Sequence, residues 1–158
     1  MACDASVVLS SLQAKAMQTN DREELGSALV QKLREALPRA TWVGIHWLEG
    51  EDLVLGPYVG QPTEHRRIPV GTGVCGTAVA ENRDQIIEDV RAVENYLPIS
   101  TSVRSEIVVL VRSMGKVIGS LALDSPEVGA FGAVDQCILR AVADSFGGLV
   151  ASSSNAAS

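Results

Sequence analysis

No cluster of basic residues larger than the pair Arg66–Arg67 occurs in the 158 residues, and acids outnumber bases by 19 to 13. A formal charge of −6 without a cationic patch excludes the nucleic-acid backbone as the main partner, since that binding is driven by Lys and Arg displacing counterions. The same lack argues against an anionic membrane surface. Long apolar runs are also missing: "IVVLV" and "VIGSLAL" fall far short of the roughly 20 residues that cross a bilayer. The opening "MACDASVVLSSLQAKAMQ" carries an early acid and no basic stretch, so no secretory signal is expected. Cysteine is scarce. Cys3, Cys75 and Cys137, odd in number and far apart, make neither a disulfide framework nor a zinc pattern. A cytoplasmic protein with no cofactor is expected.

What is present is apolar residue in quantity, 46%, enough for one core in a chain of this length. One domain over 1–150 is expected, with 151–158 as a disordered polar tail. "SVVLSSLQAKAM" and "NDREELGSALVQKLREAL" have helical spacing, the second with Asp21, Glu23 and Glu24 early and Pro38 at its end. "TWVGIHWL" and "LVLGPYVG" read as a strand pair across "EGED", and "HRRIPV" as a third strand. A short helix "GVCGTAVAEN", an extended "QIIEDV" and a loop over 91–104 follow. "SEIVVLVR" and "KVIGSLALD" then form a hairpin across "SMG", and "VDQCILRAVADSFGGLV" is a closing amphipathic helix. This order predicts an α+β antiparallel sheet with the N- and C-terminal helices packed on one face and a pocket on the other.

"GTGVCG" at 71–76 spells G-x-G-x-x-G. A dinucleotide loop needs that string in a βαβ unit with a long crossover helix and a second parallel strand. Here the helix is short and the later strands form a hairpin, so the glycines are expected to serve a tight strand-to-helix turn. Cys75 falls in the first turn of that helix, where free N–H groups favour a thiolate. A small buried hydrophobe is the other reading of the same residue, and the more usual one.

"TWVGIHWL", "LVLGPYVGQP", "RIPVGTGVCGTAVAENRDQIIEDV", "SEIV" and "LALDS" together resemble a GAF domain of the free methionine-(R)-sulfoxide reductase family. The resemblance implies a GAF-like fold and a pocket in which a thiolate attacks the sulfoxide sulfur. A second cysteine would then close a disulfide on the sulfenic acid, and thioredoxin would reset the enzyme. Carried over by position, Cys75 matches the family cysteine of the glycine turn, while His65 and Ile99 stand where the other two cysteines are. Glu106 matches the pocket glutamate that engages the sulfoxide end. Asp124 keeps one of two strand acids, and Ala122 replaces the other. Trp42 matches a pocket aromatic, and His46 replaces a tyrosine.

Isoleucine has no lone pair to offer a sulfoxide, and alanine cannot pair with a substrate ammonium. The chain is therefore read as a stand-alone, catalytically altered relative that binds a small polar or anionic molecule through Trp42, His46, His65, Cys75, Glu106 and Asp124. Two alternatives stay open: an active reductase with Cys75 as nucleophile and thioredoxin as partner, or a homodimeric interaction module with a vestigial pocket. No two of the candidate ligands form a short metal-binding pair, so no metal is assigned. The histidines titrate near neutral pH, so a pH-responsive pocket also fits. Neither a Cys-His pair of the kind that attaches a bilin nor an "NKFDE"-like string of cyclic-nucleotide GAF domains is found.

Overall fold

A computed structural model describes residues 4–97 and 101–157, with side chains as far as Ala151. Asp4 caps helix α1 (Ala5–Ala16), its carboxylate accepting from the Ser6 N–H at 3.0 Å. Asp21 caps α2 (Arg22–Ala36) likewise, 2.8 Å from the Glu23 N–H, with Glu23 and Glu24 at the positive end of the dipole. Leu25, Leu29 and Leu33 form the buried stripe of α2, four residues apart. Pro38, just past its end, cannot continue the helical hydrogen bonds.

Six strands form one sheet in the order β3-β2-β1-β6-β5-β4. They are β1 (Trp42–Glu49), β2 (Asp52–Val59), β3 (Arg67–Pro69), β4 (Gln85–Ile87), β5 (Ser105–Ser113) and β6 (Lys116–Ser125), and every neighbouring pair is antiparallel. The β5–β6 turn places Met114 and Gly115 at φ 53° and 81°, the left-handed conformation a two-residue hairpin needs. Helix α3 (Gly73–Glu81) lies between β3 and β4, and α4 (Ala133–Ala157) follows β6.

Residue alternation divides each central strand between two faces. Val43, Ile45 and Trp47 of β1, Ile107, Val109 and Val111 of β5, and Leu121 and Leu123 of β6 pack against α1, α2 and α4 in one core. Their alternates Trp42, Val108, Leu110 and Ala122 face the other way, with Val74, Cys75 and Ala78 of α3. The expected α+β architecture is thus observed: terminal helices on one face, the glycine turn and its helix on the other.

Local differences from the sequence reading have physical causes. The third strand is only Arg67–Pro69, because the chain is still turning at Thr63–His65, where the His65 N–H donates to Thr63 Oγ1. "QIIEDV" supplies the edge strand β4, paired with β5 through Gln85↔Val108, Ile86↔Ile107 and Ile87↔Glu106. A 3-10 turn (Val90–Ala92) opens the 91–104 loop, capped by Asp89. The backbone of α4 remains helical to Ala157, through the stretch read as a polar tail. Among the described residues no helix is long and apolar enough to cross a membrane.

Candidate functional site

The cleft lies on the α3 face of the sheet, and its floor is set by strand register. Trp42, Asp124 and Glu106 stand side by side on β1, β6 and β5; Gly44, Ala122 and Val108 form the next row, and His46, Ser120 and Leu110 the third. Gly44 is required by its neighbour. A Cβ there would collide with Cη2 and Cζ3 of Trp42, whose indole lies across the glycine. The indole N–H donates to the Gln61 carbonyl at 3.1 Å, and Tyr58 stacks offset beside the ring with centroids 5.7 Å apart.

The glycine turn forms the opposite wall. Gly71 and Gly73 have φ of 95° and 68°, a region other residues rarely adopt. Gly76 packs so close to the Pro69 carbonyl that a Cβ would sit 2.7 Å from the oxygen, and its own carbonyl accepts from the Gly71 N–H at 2.8 Å. The three glycines close a loop on itself. Since α3 is nine residues long and every strand pairing is antiparallel, the dinucleotide geometry is absent among the described residues.

Trp42, His46, His65, Cys75 and Glu106 all line this cleft, and Asp124 lies beneath it at 1% exposure, directly opposite Glu106. The space is about 400 Å³ when the solvent at its open mouth is counted in. Ile99 and Cys3 lie outside the described residues. Cys137 is exposed on α4, across the sheet from the cleft. Among the described residues no three His, Cys, Asp or Glu side chains converge to hold a metal ion. Ser120 is a floor residue the sequence reading missed; its signal was the alternation Ser120, Ala122, Asp124 in β6.

Burial controls the site's electrostatics. Cys75 is 7% exposed, and that burial, followed by the nearby carboxyls of Glu106 and Asp124, pushes its thiol well above the ordinary value; the Ser120 hydroxyl opposes this. A helix N-terminus contributes typically 0.3–1 kcal/mol, about 2 at most, so the dipole loses to desolvation here. Burial thus favours the thiol over the thiolate expected of a first-turn cysteine, and Cys75 is buried, as the buried-hydrophobe reading has it. His46, 3% exposed, has neither ring nitrogen in a hydrogen bond of normal geometry. Burial lowers its pKa to about 4, slightly offset by the His65 backbone, so at neutral pH the ring is uncharged.

Glu106 and Asp124 behave as a pair. Burial raises Glu106 well above the usual carboxylate range, and the adjacent Asp124 raises it further; burial raises Asp124 to about 7, opposed by its bond to Glu106. Neither Asp124 oxygen receives a bond from an N–H or hydroxyl. Two carboxyls can bond each other only through a proton, which the pair therefore holds near neutral pH. Among the described residues the cleft wall includes no lysine or arginine.

Relatives share this arrangement at the level of the fold. Residues 19–151 match the GAF domain family. Protein YtsP of Bacillus subtilis is 36% identical over 143 residues, 89% of this chain and 87% of that protein. The free methionine-R-sulfoxide reductase of Escherichia coli is 43% identical over 108 residues, 68% of this chain and 65% of the enzyme. The solved structure of the free methionine-R-sulfoxide reductase from Neisseria meningitidis, in complex with its substrate, superposes with a TM-score of 0.89 at 31% identity, covering 99% of this chain and 96% of that one. With its antiparallel sheet, terminal helices on one face and glycine-turn cleft on the other, the chain belongs to the GAF domain family and is a relative of the free methionine-R-sulfoxide reductases and of YtsP.

Proposed function

We propose that this GAF domain binds a small polar molecule in the cleft and does not use Cys75 to reduce it. The observation that carries this reading is the state of Cys75: a buried thiol, held protonated by burial and two carboxyls, with no second cysteine beside it among the described residues. A sulfoxide reduction needs a thiolate to attack and a second thiol to close the disulfide. Binding needs neither. It is supported by His46, whose ring nitrogens make no hydrogen bond of normal geometry, and by the indole of Trp42, polar and apolar groups facing one cleft.

Kinship with the reductases makes free methionine-(R)-sulfoxide the first ligand to try. A ligand that binds only the native state raises Tm in proportion to the logarithm of its concentration. The expected outcome is a concentration-dependent rise in Tm with a member of a panel of small polar metabolites that includes this sulfoxide. A flat Tm across the panel, with the indole of Trp42 insensitive to every compound by fluorescence, would contradict the reading.

A further inference from the structure

We propose that His46 and Ser120 form a subsite for an uncharged group carrying both a hydrogen-bond donor and an acceptor, for which a primary amide is the fullest match. The proposal rests on the reading above that the cleft binds a small molecule, and names the kind of group that one end of that molecule carries.

His46 of β1 and Ser120 of β6 are register partners, side by side on the α3 face of the sheet. Both are buried, at 3% and 0% exposure, and neither the two ring nitrogens of His46 nor Ser120 Oγ makes a hydrogen bond of normal geometry. Three polar atoms are thus withdrawn from water without a full partner, which costs free energy until something bonds them. His46 lines the cleft, so a bound molecule meets its ring. The surroundings exclude a charged occupant. Leu110 completes the row, Ile68 and Val74 line the wall, and no lysine or arginine does so among the described residues. The carboxyls of Glu106 and Asp124 stand in the Trp42 row, four residues along the strands, about 13 Å of backbone away. Between that row and His46 lies the Trp42 indole, spread across Gly44. An ion beside His46 therefore has no counter-charge at hand, whereas an uncharged group needs none.

The match is made donor by donor. Burial keeps the His46 ring uncharged at neutral pH, so it offers one N–H and one lone pair. The His65 backbone favours the protonated ring, the action of a carbonyl facing its N–H, which leaves the lone pair of the other nitrogen for a donor on the ligand. The Ser120 hydroxyl, near enough to the Cys75 thiol to oppose its raised pKa, has an O–H to turn toward an acceptor. A primary amide brings an N–H for the imidazole and a carbonyl for the hydroxyl. A ketone of the same shape brings the carbonyl alone, a carboxylate brings acceptors with a charge, and an ammonium brings donors with a charge.

The test uses the full chain at pH 7 and four probes of similar length: butyramide, 2-pentanone (the same shape without an N–H), butyrate and butylammonium. Titration followed by the ring nitrogen signals in NMR reads affinity and place together. The chain has two histidines, so the signals lost in His46→Phe assign the ring. Butyramide is expected to move the His46 nitrogens and to bind about 5- to 10-fold more tightly than 2-pentanone, with neither ion tighter than the ketone. His46→Phe is expected to erase the advantage of the amide over the ketone, and Ser120→Ala to weaken both carbonyl probes. Butyramide no tighter than 2-pentanone overturns the proposal, as does an ion that binds more tightly than butyramide. So does an amide advantage that survives in a folded His46→Phe protein, or full-strength binding of both carbonyl probes by Ser120→Ala. Each of these leaves the small-molecule reading intact. Silence from all four probes overturns the proposal, and the wider metabolite panel then decides the small-molecule reading separately. If His46→Phe does not fold, Ser120→Ala and the wild-type contrast between amide and ketone decide.

Discussion

Trp42 and Gly44 act as one unit at the cleft floor, since the indole occupies the space a side chain at Gly44 would fill. Gly44→Ala is expected to cost about 1–3 kcal/mol by overpacking, and to shift the tryptophan emission as the ring is displaced. Denaturant unfolding followed by fluorescence checks both; an unchanged midpoint would mean the ring does not lie across the glycine. The buried acids set a second expectation at this scale. Asp124 has a folded pKa of about 7, above its unfolded value, so its contribution to stability is complete at low pH and is lost as pH rises toward and through 7. His46 works the other way: its folded value of about 4 lies below the unfolded one, so stability is lost as pH falls from about 6.5 toward 4. The two slopes oppose each other in that lower window; between about 6.5 and 8 the carboxyl pair dominates, and the raised Cys75 thiol adds its own loss at higher pH. Stability is therefore expected to fall between pH 6.5 and 8, and Asp124→Asn to flatten that fall, measured by denaturant midpoints across the range. A wild-type slope of zero there would contradict the buried, proton-sharing pair. Legibility in the sequence divides along the same line. Trp42, His46, His65, Cys75, Glu106 and Asp124 could be picked out by type and by resemblance, and the structure gathers them around one cleft. Their charge states could not, because the Cys75 thiol and the Asp124 carboxyl are governed by burial, which depends on strands far away in the chain.

At the scale of elements, Asp84 ties three parts of the fold together from the turn between α3 and β4. Its carboxylate accepts from the Leu110 N–H of β5 at 2.9 Å, from Arg140 Nη1 of α4 at 2.8 Å and from Gln136 Nε2 at 3.3 Å. The Leu110 N–H lies just past the end of the three-residue β4 ladder, so Asp84 takes over where the strand stops. Asp84→Ala would leave that N–H without its acceptor and Arg140 with Asp144 and the Leu110 carbonyl only, and is expected to destabilise the protein by about 2–3 kcal/mol, read from the shift in denaturant midpoint. A loss under about 0.5 kcal/mol, as for an exposed surface pair, would contradict this role. The strong hairpin of β5 and β6 and the capped helix α2 were readable from alternation and from Asp21. The edge strand β4 was legible only as an extended segment, because three residues carry too little pattern and its pairing depends on β5 some twenty residues later.

At the scale of the whole molecule, one sheet separates two kinds of interior. On the helix side the core is apolar apart from Ser105 and Ser125 at the strand ends. On the α3 side the packing includes buried carboxyls and a buried histidine, polar groups that are costly without partners, beside the Cys75 thiol. In the proposed reading the small molecule occupies this polar interior, and the state of Cys75 separates binding from turnover. The most direct test is the methionine released from free methionine-(R)-sulfoxide with dithiothreitol as reductant, comparing the wild type with Cys75→Ser. The account predicts no methionine above the uncatalysed background from either protein. Turnover by the wild type that vanishes in Cys75→Ser would contradict it and make Cys75 the nucleophile of an active reductase.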